Sequence, residues 1–134
     1  MSDMKEDQAK LIVYRGWLDR GKHVWSPFVI KLEARLRFAG VSYITEAGST
    51  RTAPKGKIPY VECQGLGDSP SASLGDSTLI IKHLIEWNIL PNINANITSK
   101  ARVQDLALRA LLEEKLYFYH VRNTSFLSDF PFAH

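Results

Sequence analysis

Ser26-Pro27-Phe28-Val29-Ile30-Lys31-Leu32-Glu33-Ala34-Arg35-Leu36-Arg37-Phe38-Ala39-Gly40 is the stretch on which the fold turns. Ser is a favoured N-cap and Pro is favoured at the first helical position, so a helix starts at Ser26-Pro27. Apolar residues at Phe28, Val29, Leu32, Leu36 and Ala39 recur at helical spacing, and Gly40 supplies the stop. Glu33 and Arg37 stand in the favourable order for an i,i+4 pair. On the N-terminal side, Leu11-Ile12-Val13-Tyr14 is a continuous apolar, β-rich run. It reads as a strand buried on both faces, as in a parallel sheet. On the C-terminal side, Val41 to Ala47 alternates enough for a second strand. The helix therefore sits inside a strand–helix–strand unit.

Further along, Gly48 to Lys57 is a polar loop with Pro54 and Gly56. Pro59 to Cys63 reads as a third strand, with Pro at its first residue, where it is tolerated. Gln64 to Gly75 is a Gly/Pro-rich turn with a short edge strand near Ala72–Leu74. Asp76-Ser77 caps a helix to about Asn88, with apolar residues at Ile80, Ile81, Leu84, Ile85 and Trp87. Ile89 to Thr98 is linker-like, and Ser99 to about Val121 is a long helix. Asn123 to His134 has no helical period and contains Pro131. A strand–helix–strand unit, a hairpin and a closing helix make a thioredoxin-like α/β layout. The expected organisation is a tail at 1–10, an α/β domain at 11–88, a linker at 89–98 and a helical segment at 99–134.

The length of 134 residues holds one small domain or one and a half. With 45% hydrophobic and 23% charged residues, the composition excludes a disordered chain. The longest apolar runs span only a few residues, against the ~20 that a membrane helix needs. The polar start, Met1 to Lys10, lacks the apolar core of a signal peptide. A single cysteine, Cys63, cannot form an internal disulfide, so a reducing, cytoplasmic compartment is expected. The net charge of +3 is spread without a basic block, which argues against nucleic acid as a partner. His23, His83, His120 and His134 show no metal-ligand spacing, and no cysteine cluster exists. Cys63 falls in a strand and reads as a small buried hydrophobe.

Three places carry possible chemistry. Ser26 heads a helix, beside unpaired N–H groups and the positive end of the dipole, where an anion is stabilised. A Cys there would be a redox nucleophile, whereas Ser excludes disulfide exchange at this position. Ser26 is either a helix cap or a hydrogen-bond donor to a bound thiolate. Lys57-Ile58-Pro59-Tyr60 is either an ordinary trans-Pro strand start or a cis-Pro turn. The cis form would turn the Ile58 N–H and C=O outward, free to pair with an extended peptide-like ligand. Asp76-Ser77 is either a double helix cap or a pair that holds an α-carboxylate and an ammonium group.

In this order, the three places resemble the glutathione-binding half of glutathione transferases. The chain looks most like the branch of the failed-axon-connections, cadmium-response and metaxin proteins. The residues that carry the resemblance begin with Gly16-Trp17, then Ser26-Pro27-Phe28 with Lys31-Leu32-Glu33 and Ala39-Gly40. They continue with Pro54 to Glu62, Gly75-Asp76-Ser77-Thr78 with Ile81, and Leu112-Glu113-Glu114 with Leu116-Tyr117. The resemblance covers about residues 11 to 122.

The resemblance implies a thioredoxin-like domain with a cis Pro59, and glutathione as co-substrate. It implies that the Ile58 backbone pairs the cysteinyl part, beside Lys57 and Pro59, and that Asp76-Ser77 holds the γ-glutamyl end. Ser26 is the hydroxyl that matches the thiolate-steadying residue, and Tyr14, at the end of the first strand, is a second candidate. Such proteins carry a complete helical second domain, whereas this chain offers only its first long helix. The fold class is therefore α/β, a thioredoxin-like N-terminal domain followed by the start of an incomplete all-α domain. The chain reads as a truncated product, a splice variant or a gene-model error.

Two functions compete on this reading. One is a glutathione transferase acting on small electrophiles in detoxification. The other is a non-catalytic, metaxin-like adaptor working through protein contacts, with an outer mitochondrial membrane association. The helix from Ser99 has apolar residues on more than one side, at Val103, Leu106, Leu111, Tyr117 and Val121 and at Leu108, Leu112, Leu116 and Tyr119. That exceeds the single stripe of a surface helix and predicts self-association through 99–121.

Overall fold

The computed structural model describes residues 10–16, 22, 24, 26–66 and 71–128, with 124–128 as backbone only. Residues 1–9 of the expected tail at 1–10, Trp17 and residues 129–134 lie outside the described residues, and Lys10 belongs to a strand instead. The chain divides into two compact units, Met1–Asn92 and Ile93–His134.

In the first unit, β1 (Lys10–Tyr14) leads to α1 (Pro27–Phe38) and β2 (Ile44–Glu46). Then come β3 (Tyr60–Gln64), β4 (Ala72–Gly75) and α2 (Ser77–Glu86). The sheet order is β2-β1-β3-β4. β1 runs parallel to β2 and antiparallel to β3, and β3 runs antiparallel to β4. This is the thioredoxin-like α/β arrangement, a parallel crossover through α1 joined to a hairpin. The sheet is mixed, and β1 is not buried evenly on both faces as its sequence suggests. Leu11 and Val13 are buried, while Ile12 and Tyr14 are half-buried.

Period-2 alternation sends Leu11, Val13, Val61 and Cys63 to one face, where Leu32 and Leu36 of α1 and Ile80 and Leu84 of α2 meet them. Leu90 joins this core and Ile89 packs against it, so both belong to the first unit and not to a linker. Burial pushes the Cys63 thiol up to about 11, which makes it an inert core group. β2 is shorter than the Val41–Ala47 run, and Val41–Tyr43 lie outside the sheet.

Both helices end the same way. At α1, Val41 N–H donates to Leu36 O and Gly40 N–H to Arg37 O, with Gly40 at φ 68°. At α2, Ile89 N–H donates to Leu84 O and Asn88 N–H to Ile85 O, with Asn88 at φ 58°. These paired bonds satisfy carbonyls at the helix end and need a residue that tolerates positive φ.

The second unit holds α3 (Ser99–Ala110), a π-helical segment (Leu111–Leu116) and α4 (Tyr117–Ser128). Thr98 caps α3, accepting from Ala101 N–H at 3.2 Å. The π segment re-phases the helix, with Tyr117 N–H donating to Leu112 O. The helix also runs further than the sequence suggests. Asn123 to Ser128 remain helical, because no Gly or Pro interrupts α4 and the first breaker, Pro131, lies beyond it.

Candidate functional site

Register brings two of the sequence-flagged places, Ile58-Pro59 and Asp76-Ser77, to the end of the sheet at which β1 stops. Tyr14 pairs with Tyr60 and Tyr60 with Gly75, so these residues form one row across β1, β3 and β4. Beyond that row β1 continues toward Ser26, Ile58-Pro59 precedes β3, and Asp76 follows β4. Gly16, at φ 82°, closes the end of β1 against Ile58, whose side chain would lie 3.4 Å from a Cβ at position 16.

Ser26 precedes α1 with extended backbone (φ −72°, ψ 116°), but its side chain makes no capping bond. The hydroxyl at the positive end of α1 is therefore not used as a cap. The Ile58–Pro59 bond is cis. Pro59 is fully buried, Ile58 is half-buried and Lys57 is exposed. The β1–β3 ladder starts at Tyr60, and among the described residues no hydrogen bond engages the Ile58 backbone.

Asp76 does cap α2. Its Oδ1 accepts from Thr78 N–H at 2.9 Å and Leu79 N–H at 3.3 Å. It does so at φ 74° and ψ 117°, a costly conformation for a residue with a Cβ. Ser77 is buried behind it. Lys31 of α1 donates through Nζ to Thr78 Oγ1 at 3.0 Å, linking α1 to the start of α2. The Lys55 stem packs against Gly75. The Lys31 ammonium thus lies beside a helix start suited to a carboxylate.

Tyr14 is not brought to Ser26. Alternation along β1 turns its ring away from the core face that α1 packs, and it stacks on Tyr60 at 4.2 Å and 7°. Its hydroxyl donates to Glu62 Oε2 at 3.0 Å. Burial first, then the bond to the Glu62 carboxylate, push its pKa up to about 12. A phenol held in this way keeps its proton and donates it to the Glu62 carboxylate.

Sequence reasoning missed one buried feature. Glu33 does not pair with Arg37, whose Nε instead donates to Tyr43 Oη at 2.9 Å. Glu33 turns inward to Arg15. Arg15 Nε lies 3.1 Å from Oε1, and Nη2 lies 3.4 Å from Oε2. Arg15 is 2% exposed and Glu33 3% exposed. Arg15 Nη2 also donates to the Lys22 carbonyl. The available signal was Glu33's place on the stripe Val29, Leu32, Glu33, Leu36, all buried. A charge on the apolar face of a helix needs a partner from elsewhere.

Ser26→Ala separates a cap from a functional hydroxyl. Removing an ordinary Ser cap costs ~0.5–2 kcal/mol. Here no capping bond is lost, so chemical denaturation should place Ser26→Ala within about 0.5 kcal/mol of the parent. A loss above 1 kcal/mol would return Ser26 to the role of a cap.

No helix among the described residues is long and apolar enough to cross a membrane. Neither a curated protein nor a solved structure is a significant match to the chain. The family model of the glutathione S-transferase N-terminal domain matches residues 27–129, from the first residue of α1 past the end of α4. That match covers well over half of the chain and includes the cis-Pro turn and the Asp76-Ser77 helix start. With this match and the thioredoxin-like sheet, the chain belongs to the glutathione S-transferase N-terminal domain family.

Proposed function

We propose that the chain binds glutathione at the sheet end where Ser26, Ile58-Pro59 and Asp76-Ser77 converge. The Ile58 backbone pairs the cysteinyl part, with Lys57 at the rim. Asp76 and the α2 start take the γ-glutamyl ammonium and carboxylate. Ser26, and not Tyr14, donates its hydroxyl to the thiolate. A thiolate steadied there is the nucleophile for conjugation to a small electrophile. The observation that carries this reading is the Ser26 hydroxyl, spared from capping at a helix start on the same sheet end as the disengaged Ile58 peptide.

The test is a melting curve with and without glutathione. A ligand that binds only the folded state at tenfold its Kd stabilises by about 1.4 kcal/mol, which raises Tm by several degrees. Asp76→Ala combined with Ser77→Ala should abolish that rise. If millimolar glutathione leaves the parent curve unmoved, the binding reading fails. The thiol of bound glutathione should titrate below the ~8.5 of a free thiol, and Ser26→Ala should raise it with affinity nearly unchanged.

A second reading, the adaptor, is favoured by the exposure pattern of the second unit. The half-buried residues of its helix include Asp105, Arg109 and Glu113, while Val103 (66%), Leu106, Leu116, Phe118 (69%) and Tyr119 are exposed. The polar row is the more sheltered one. A second copy of the chain is the fitting partner. Antiparallel pairing centred on Leu111 sets Leu106 against Leu116 and Val103 against Tyr119. Sedimentation at micromolar concentration should show a dimer, and Leu106→Glu with Leu116→Glu should return it to monomer. A parent chain that sediments as a monomer would defeat this reading.

A further inference from the structure

We propose that the buried Arg15–Glu33 pair is the positioning device of the thiolate site, a clamp that sets Ser26. The proposal rests on the glutathione reading above. Arg15 follows directly on β1, and its N–H donates to Glu46 O at 2.9 Å, so its backbone is fixed to the sheet. Its guanidinium reaches Glu33 on α1 and the Lys22 carbonyl on the chain between them. Ser26 is thereby held from both sides. Lys22 precedes it by one turn's worth of residues, and Glu33 follows it two helical turns on.

Stability alone does not account for the pair. A buried ion pair is often no better than two apolar side chains of similar volume, because both charges must be taken out of water. An apolar pair, however, cannot bind a backbone carbonyl. A planar guanidinium carries donors in a fixed fork, so one side chain can orient a carboxylate and a carbonyl together. The clamp joins sheet, connecting chain and helix, and Ser26 is the site residue that lies between its anchor points.

The test uses the full chain with Arg15→Met and Glu33→Leu combined. We expect a folded protein with a Tm near that of the parent, still stabilised by glutathione through Ile58 and Asp76-Ser77. The bound thiol should titrate near the free value of ~8.5, as in Ser26→Ala. Hydrogen exchange of the segment 22–26 should accelerate. Arg15→Lys, which keeps a charge opposite Glu33 but lacks the fork, should show the same two changes and covers the case in which the double variant does not fold. Parent-like thiol titration together with parent-like exchange in the folded variant would overturn the proposal and leave the pair purely structural. If the parent binds no glutathione, the binding reading falls by itself. Exchange at 22–26 then decides the clamp, and an unchanged rate overturns it.

Discussion

Glu33→Leu alone should destabilise the protein by about 3–5 kcal/mol, the cost of leaving a buried charge without its partner. Arg15 is 2% exposed, and its Nε and Nη2 both face the Glu33 carboxylate. Leu is apolar and suits the stripe of Val29, Leu32 and Leu36, so the loss would come from the stranded guanidinium and not from poor packing. Against a typical domain stability of 5–15 kcal/mol, this is a large share. Adding Arg15→Met should recover most of it and bring the double variant within about 1 kcal/mol of the parent. Urea denaturation of the four proteins measures the coupling. Additive single and double effects would mean that the two charges do not depend on each other.

Gly48→Ala should cost about 2–5 kcal/mol through a different mechanism. Gly48 sits at φ 61°, and a Cβ there would lie 2.5 Å from Tyr60 Oη and 2.8 Å from Tyr14 Cδ1. The left-handed conformation costs a residue with a Cβ roughly 1–2 kcal/mol, and overpacking adds ~1–3. Neither ring can easily give way. Tyr14 and Tyr60 stack on each other, Tyr14 is tied to Glu62, and Tyr60 Oη lies 2.7 Å from Thr52 Oγ1. Gly56 is the control. At φ 64° it shares the backbone penalty, but its added Cβ would meet only Thr50 O at 3.9 Å. Gly56→Ala should therefore cost only ~1–2 kcal/mol. Equal losses at the two positions in thermal unfolding would show that the tyrosine pair yields and that the steric argument is wrong.

Much of the candidate site is legible along the chain, since its parts are local. Ser26-Pro27 starts a helix and Gly40 ends it for reasons confined to a single turn. Asp76 caps its own helix through bonds to Thr78 and Leu79, next in sequence. Tyr14 is harder. Its place at the end of a strand is legible, yet its partner Glu62 is 48 residues away and is reached only through the β1–β3 register. Lys31 meets Thr78 by the same kind of route, through the packing of α1 beside α2.

By itself, the sequence determined the helix starts, the Gly40 stop of α1 and the strand–helix–strand order, because caps, turns and periodicity act over a few residues. The tertiary structure decided which face of each element is buried, and that choice assigned the charges. Arg37 was the local partner for Glu33, but burial of the Val29–Leu36 stripe carried Glu33 inward to Arg15, while Arg37 stayed exposed and bonded to Tyr43. The same holds for the sheet end. Ile58 and Asp76 are far apart in sequence, and the shared row of Tyr60 and Gly75 brings them to one side, the end at which Tyr14 closes β1. Hydrogen-bond register across strands is a long-range property, set when the apolar faces of all the elements are buried together.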